Sequence, residues 1–250
     1  MINALRSELI KLRTVRMNWV LGIIAIAFPL IVCGLTAALQ NPDDINAYDF
    51  LSLANGTSVV TALLLGVIAS VSITGEFAHG TIRPTFVATP NRWRVILAKG
   101  TVVAALAAIV ETVVIIVTLA VSAAIASGRG ADLKFGDLID KKAPIVGLVI
   151  FTVLVTVLGF GLGLLIRNTP AALCVLILWP LLVENIVGAI LSAAGVDRPI
   201  RFLPYASGIQ LASPDDVTEG LGRLQGGVYF GAIAVGIAVV GAFITARRDA

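Results

Sequence analysis

Two carboxylates stand inside long apolar runs, Glu111 within Leu97–Ala126 and Glu184 within Ala171–Ala194. An ionised carboxylate in hydrocarbon costs at least about 2.5–3.5 kcal/mol, so each must face protein or water. Glu111 shares a helical line with Ala104, Ala108, Thr118 and Ser122, whereas Glu184 is followed by Asn185 and has Gly188 and Ser192 on its face. Groups of this kind can line a path for a cationic or amphipathic cargo, relay protons, or serve as hydrogen-bonded structural carboxyls. Glu111, Glu184 and Asn185 are therefore the candidates for a substrate path. The other reactive types offer less. Cys33 and Cys174 both fall in apolar runs without metal-ligand spacing, and His79 stands alone in a basic segment. No catalytic or metal site is expected.

The elements that position these groups follow from hydropathy. Six stretches, Trp19–Leu39, Leu51–Ile73, Leu97–Ala126, Ile145–Ile166, Ala171–Ala194 and Gly226–Ala246, reach the roughly 20 apolar residues that a bilayer-spanning helix needs. The 250 residues are 58% hydrophobic and only 13% charged, with mean hydropathy +1.00, too few charges to solvate a water-soluble surface. The expected fold is an all-α integral membrane protein, one transmembrane domain over residues 1–250. Small residues mark where its helices should meet: Thr152, Thr156, Gly159 and Gly163 in the fourth span, and Gly227, Gly231, Ala234 and Ala238 in the sixth. Pro29 and Pro180 should kink spans one and five.

Charge sets the orientation. With six spans both termini share a face, and eleven Lys and Arg residues fall on that face against seven on the other. The excess predicts cytoplasmic termini. Ten acids lie on the opposite face, so the whole-chain charge of +3 conceals a strong asymmetry.

Segments at the cytoplasmic face carry more information than the outer ones. Over residues 2–16, Ile2, Leu5, Leu9 and Leu12 fall on one side of a helical wheel, flanked by Arg6 and Arg13. This predicts an interfacial amphipathic helix, with Arg13, Arg16 and later Trp93 as interface anchors. Residues 76–95 show two helix starts, Thr81 for a short helix through Phe86, and Thr89 with Pro90 for a helix running into span three; Gly80 supplies the turn. The outer connection, residues 195–225, contains Ser213-Pro214-Asp215-Asp216, a further helix-start pattern.

Ser7-Glu8-Leu9-Ile10-Lys11-Leu12-Arg13-Thr14, together with Gly75-Glu76-Phe77, Gly80-Thr81-Ile82-Arg83, Thr89-Pro90-Asn91-Arg92 and Ala98-Lys99, resembles the membrane subunits of bacterial ABC exporters of the second type. The resemblance covers the six-span layout and implies a cytoplasmic coupling helix between spans two and three. By position, Glu76, Gly80, Thr81, Arg83, Thr89 and Pro90 would seat a cytosolic ABC ATPase, two copies serving a pair of permeases, either a homodimer or a related heterodimer. ATP and Mg would be bound by that ATPase. The chain holds no Gly-x-x-x-x-Gly-Lys-Ser/Thr loop, so no cofactor or enzymatic activity of its own is expected. The implied setting is a bacterial cytoplasmic membrane, with lipid as a partner and nucleic acid excluded. A path with only Glu111, Glu184 and Asn185 as strong polar groups suits an amphipathic or hydrophobic cargo, a drug, antimicrobial peptide or lipid, which would link the protein to antibiotic resistance. A proton-coupled carrier using Glu111 and Glu184 is the alternative, although no internal repeat of the kind such carriers show is evident.

Overall fold

A computed structural model describes residues 2–82, 84, 91–131, 142–213 and 221–247, except for the side chains at 2–5, 13, 47 and 49. The helices are α1 (Ile2–Thr14), α2 (Arg16–Leu39), α3 (Ala47–Ala78), α4 (Arg92–Gly128), α5 (Lys142–Ile166), α6 (Thr169–Ala193), α7 (Pro204–Ile209) and α8 (Arg223–Arg247). All but α1 and the short α7 are long and apolar enough to span a membrane, giving the six expected spans and an all-α integral membrane fold. No strand occurs among the described residues.

Helix α5 is the hub, packing against α3, α4, α6 and α8. Its glycines explain why. A Cβ at Gly159 would lie 2.4 Å from the Gly66 carbonyl oxygen of α3, and one at Gly163 would lie 2.6 Å from Ile73 Cγ2. On the opposite side, a Cβ at Gly161 would come within 2.7 Å of Ala238 in α8. Close approach of backbones replaces the hydrophobic drive that lipid removes. The small-residue stripes read from the sequence therefore do mark helix–helix contacts.

Lipid-facing surfaces follow the same logic. In the apolar windows of α3 and α5, 67% and 56% of residues are buried, against 22% in α2 and 11% in α6. Ile23, Ile31 and Leu35 of α2, and Leu181, Ile186 and Ile190 of α6, point outward, as a hydrocarbon solvent permits.

The prolines behave differently from one another. Pro180 lies in a π-helical turn, Trp179–Val183, that interrupts α6. Asn185 Nδ2 donates to the Pro180 and Leu181 carbonyls at 3.3 and 3.0 Å, satisfying acceptors within that turn. Pro29 leaves α2 continuous. Lacking an N–H, it cannot serve the Ala25 carbonyl, and the buried Thr61 hydroxyl of α3 donates there at 3.0 Å instead. Other ends are also closed by partners far away in sequence. Arg129, beyond α4, donates to the Ala37 and Gln40 carbonyls at 2.8 and 2.6 Å at the C-terminal end of α2, where a cation is favoured. Gly80 takes φ +66° at the end of α3, the turn expected there.

Candidate functional site

Three groups of polar residues occupy three levels of the bundle. At the end carrying the N-terminus, α1 packs on α4 and touches α2. Lys11 Nζ reaches Glu8 Oε1 and Glu76 Oε1, both at 2.9 Å, and Lys99 Nζ reaches Glu76 Oε1 at 3.0 Å and also pairs with Glu8 Oε2. Glu8, Glu76 and Lys99 are buried, with only 3%, 9% and 3% exposure, while the Lys11 side chain remains half-exposed. Two acids and two bases thus compensate each other where α1, α3 and α4 meet. Burial acts to lower the Lys11 pKa, but its hydrogen bonds to Glu76 and Glu8 outweigh that and raise it.

This geometry divides the apolar face of α1. Leu12 packs into the core with Leu65, Ile68, Val102 and Val103, whereas Leu9 and Ile10 stay exposed. The helix docks through a Glu8–Leu12 edge, because the buried Lys99 offers Glu8 a partner that a wheel of α1 alone cannot reveal. Glu76 likewise turns its carboxyl into the protein.

The remaining coupling candidates surround this cluster unevenly. Gly80 and Thr81 follow α3, and Thr81 Oγ1 lies 3.5 Å from the Glu76 carbonyl oxygen. Arg83, Thr89 and Pro90 lie outside the described residues, as do 83 and 85–86 of the expected helix over 81–86 and the first two positions of the one expected from 89. The helix into span three begins at Arg92, where the Asn91 side chain accepts from the Arg94 amide at 3.2 Å. Arg92 also donates to the Ala246 carbonyl at 3.2 Å, tying α4 to the end of α8. Trp93 and Arg16 are exposed, and the Arg13 side chain is outside the described set. The Ser213–Asp216 helix start also lies beyond the described residues from position 214 onward.

Glu111 sits at mid-bundle and is wholly buried. The Ser58 hydroxyl of α3 donates to its Oε1 at 2.7 Å, whereas its Oε2 is buried with no hydrogen-bond partner. It lines neither of the two large cavities.

Glu184 works at the opposite end of the molecule from the charge cluster. Its Oε1 and Oε2 accept from the Tyr205 and Ala206 amides at 2.7 and 2.8 Å, capping the first turn of α7. Tyr205 then stacks edge-on against Phe151 of α5 and Phe230 of α8, with ring centroids 5.0 and 5.6 Å away. Burial, and secondarily Glu184, push the Tyr205 phenol above its ordinary pKa. Glu184, Asn185, Ser192, Arg198 and Tyr205 line a cavity of about 960 Å³. The structure therefore brings Glu184 and Asn185 together and leaves Glu111 apart. Glu8 and Lys99 stand in separate stretches of the sequence, and their pairing joins residues 91 positions apart, which no local pattern encodes.

The family described as ABC-2 family transporter protein matches residues 4–182, from α1 into the π-helical turn of α6. The chain belongs to that family and is a multi-pass membrane protein of the ABC permease class, whose members work with an ABC ATPase. No curated protein matches the chain.

Proposed function

We propose that this chain is the membrane subunit of an ATP-driven exporter, with both termini in the cytoplasm, working as a pair of permeases with two cytosolic ATPases. Family membership over residues 4–182 carries the reading. The Glu8–Lys11–Glu76–Lys99 cluster supports it physically, because it fixes α1 to the ends of α3 and α4 that flank the connecting segment. A displacement of that segment by an ATPase passes directly to spans two and three. In this reading Gly80, Thr81, Arg83, Thr89 and Pro90 seat the ATPase, and Glu76 acts by holding the seat in place.

The cargo is amphipathic or hydrophobic, a drug, peptide or lipid, and the cavity at Glu184, Asn185 and Arg198 is the outer part of its path. A proton relay through Glu111 and Glu184 gains no support from their positions, since each carboxyl bonds within its own separate group. The test is reconstitution with the partner ATPase. Arg83→Ala should retain basal ATP hydrolysis and lose cargo-stimulated hydrolysis and transport. Unchanged transport by a folded Arg83→Ala protein would remove the coupling assignment, and failure to bind any ABC ATPase would remove the exporter reading.

A further inference from the structure

A second cavity, of about 630 Å³, opens at the end of the bundle that carries α1, between α1, α2, α3 and α4. Small-molecule sites have volumes of about 300–1,000 Å³. Its wall is largely apolar, formed by Leu12, Val15, Val71, Val102 and Val103. The charged cluster closes one end. Gly75 also lines the cavity, and a Cβ there would meet nothing within 4 Å, whereas one at Gly66 on the same helix would touch Leu176 and Val155 at 3.2–3.3 Å. The space beside Gly75 is thus open where that beside Gly66 is filled.

The charges define what would fit. Glu8 and Glu76 balance Lys11 and Lys99, so a ligand with net charge would enter uncompensated. A neutral molecule or a zwitterion would not, and of the two only the zwitterion brings an ammonium to the cluster. Glu76 Oε2 is buried without a hydrogen-bond partner and can accept from an ammonium, while the half-exposed Lys11 can turn towards a phosphate.

We propose that this cavity binds a zwitterionic aminophospholipid drawn from the adjacent leaflet. Its primary ammonium meets Glu76, its phosphate meets Lys11, and its upper acyl chains lie along Val15, Val71 and Val103. The lipid then braces α1 against α3 and α4. The site shares Glu76 and Thr81 with the proposed coupling segment, and its test reads lipid labelling rather than ATP hydrolysis or transport.

Full-length protein in phosphatidylcholine vesicles, carrying trace photoactivatable phosphatidylethanolamine, phosphatidylcholine or phosphatidylglycerol, tests it. A donor ammonium on a buried carboxylate should give phosphatidylethanolamine at least about tenfold more labelling of the Val71–Gly75 and Val102–Val103 peptides. Gly75→Leu should abolish that labelling while keeping the wild-type thermal midpoint, since leucine favours helix and fills open space. If that variant does not fold, Val15→Trp at the exposed cavity mouth replaces it. Equal labelling by the three lipids, or labelling that survives in a stable cavity-filled variant, overturns the site. Displacement by dodecylammonium as effective as by unlabelled phosphatidylethanolamine overturns the phosphate–Lys11 contact and assigns the cavity to soluble ammonium amphiphiles.

Discussion

The Thr61 hydroxyl bonds the Ala25 carbonyl that Pro29, one helical turn on, cannot reach. A carbonyl left unpaired by a proline within a helix in lipid must find a substitute donor, and here it comes from a neighbouring span. The same bond holds α2 to α3 on a helix that otherwise offers the bundle little buried surface.

Removing that donor while the proline remains should therefore weaken the bundle. Thr61→Val leaves a buried carbonyl unsatisfied at a cost of about 1–3 kcal/mol. Pro29→Ala restores an N–H to Ala25, so Thr61→Val/Pro29→Ala should recover part of the loss. Thermal unfolding in detergent of the two single variants and the double variant measures this coupling; strictly additive effects would refute it.

The charge cluster makes a second prediction. Lys99→Met alone leaves two buried carboxylates sharing the half-exposed Lys11, one negative charge in excess, and should cost up to about 3–5 kcal/mol, whereas Lys99→Met with Glu8→Gln removes one charge of each sign and should recover much of it. Protease sensitivity at α1 reports the release of that helix. A single variant as resistant as the wild type would show that the cluster does not hold α1.

Alkaline pH probes the same contact. The folded pKa of Lys11 is raised above its ordinary 10.5, with burial opposing and the bonds to Glu76 and Glu8 prevailing. Its stabilising contribution is complete below that ordinary value and is lost as pH rises through the higher folded value. Stability of wild type relative to Lys11→Met should be constant from neutral pH to about pH 9 and fall only above about pH 10.5. A loss between pH 6 and 8 would point to another group.

The sequence reveals the spans because a bilayer demands length and hydropathy that few other folds satisfy, and their small-residue stripes because close approach excludes side chains. Other features depend on partners distant in the chain. Glu8 reads as a polar residue on an interfacial helix until Lys99 is placed beside it. Glu184 reads as a group on a transport path, and only the fold reveals the Tyr205 and Ala206 amides that its carboxylate caps. Thr61 carries no local sign of its role, since the acceptor it serves lies 36 residues away.

Orientation is open to direct measurement. Cysteines placed at Asp43, Lys134 or Asp216 should react with an impermeant thiol reagent applied to intact cells, and one at Asn91 should not, following the distribution of Lys and Arg. Labelling at Asn91 would invert the assignment of both termini to the cytoplasm.

Glu184 separates support from selection at the cavity it lines. Its two oxygens each accept an amide, and a glutamine offers only one carbonyl oxygen for that work. Glu184→Gln should therefore loosen α7, seen as faster hydrogen exchange at Tyr205 and Ala206, while Asn185 keeps the π turn closed. If the cavity also selects cargo, export of cationic amphiphiles should fall relative to neutral ones at equal expression, since the carboxylate is lost from the wall. Faster exchange with an unchanged cargo profile would confine Glu184 to holding α7.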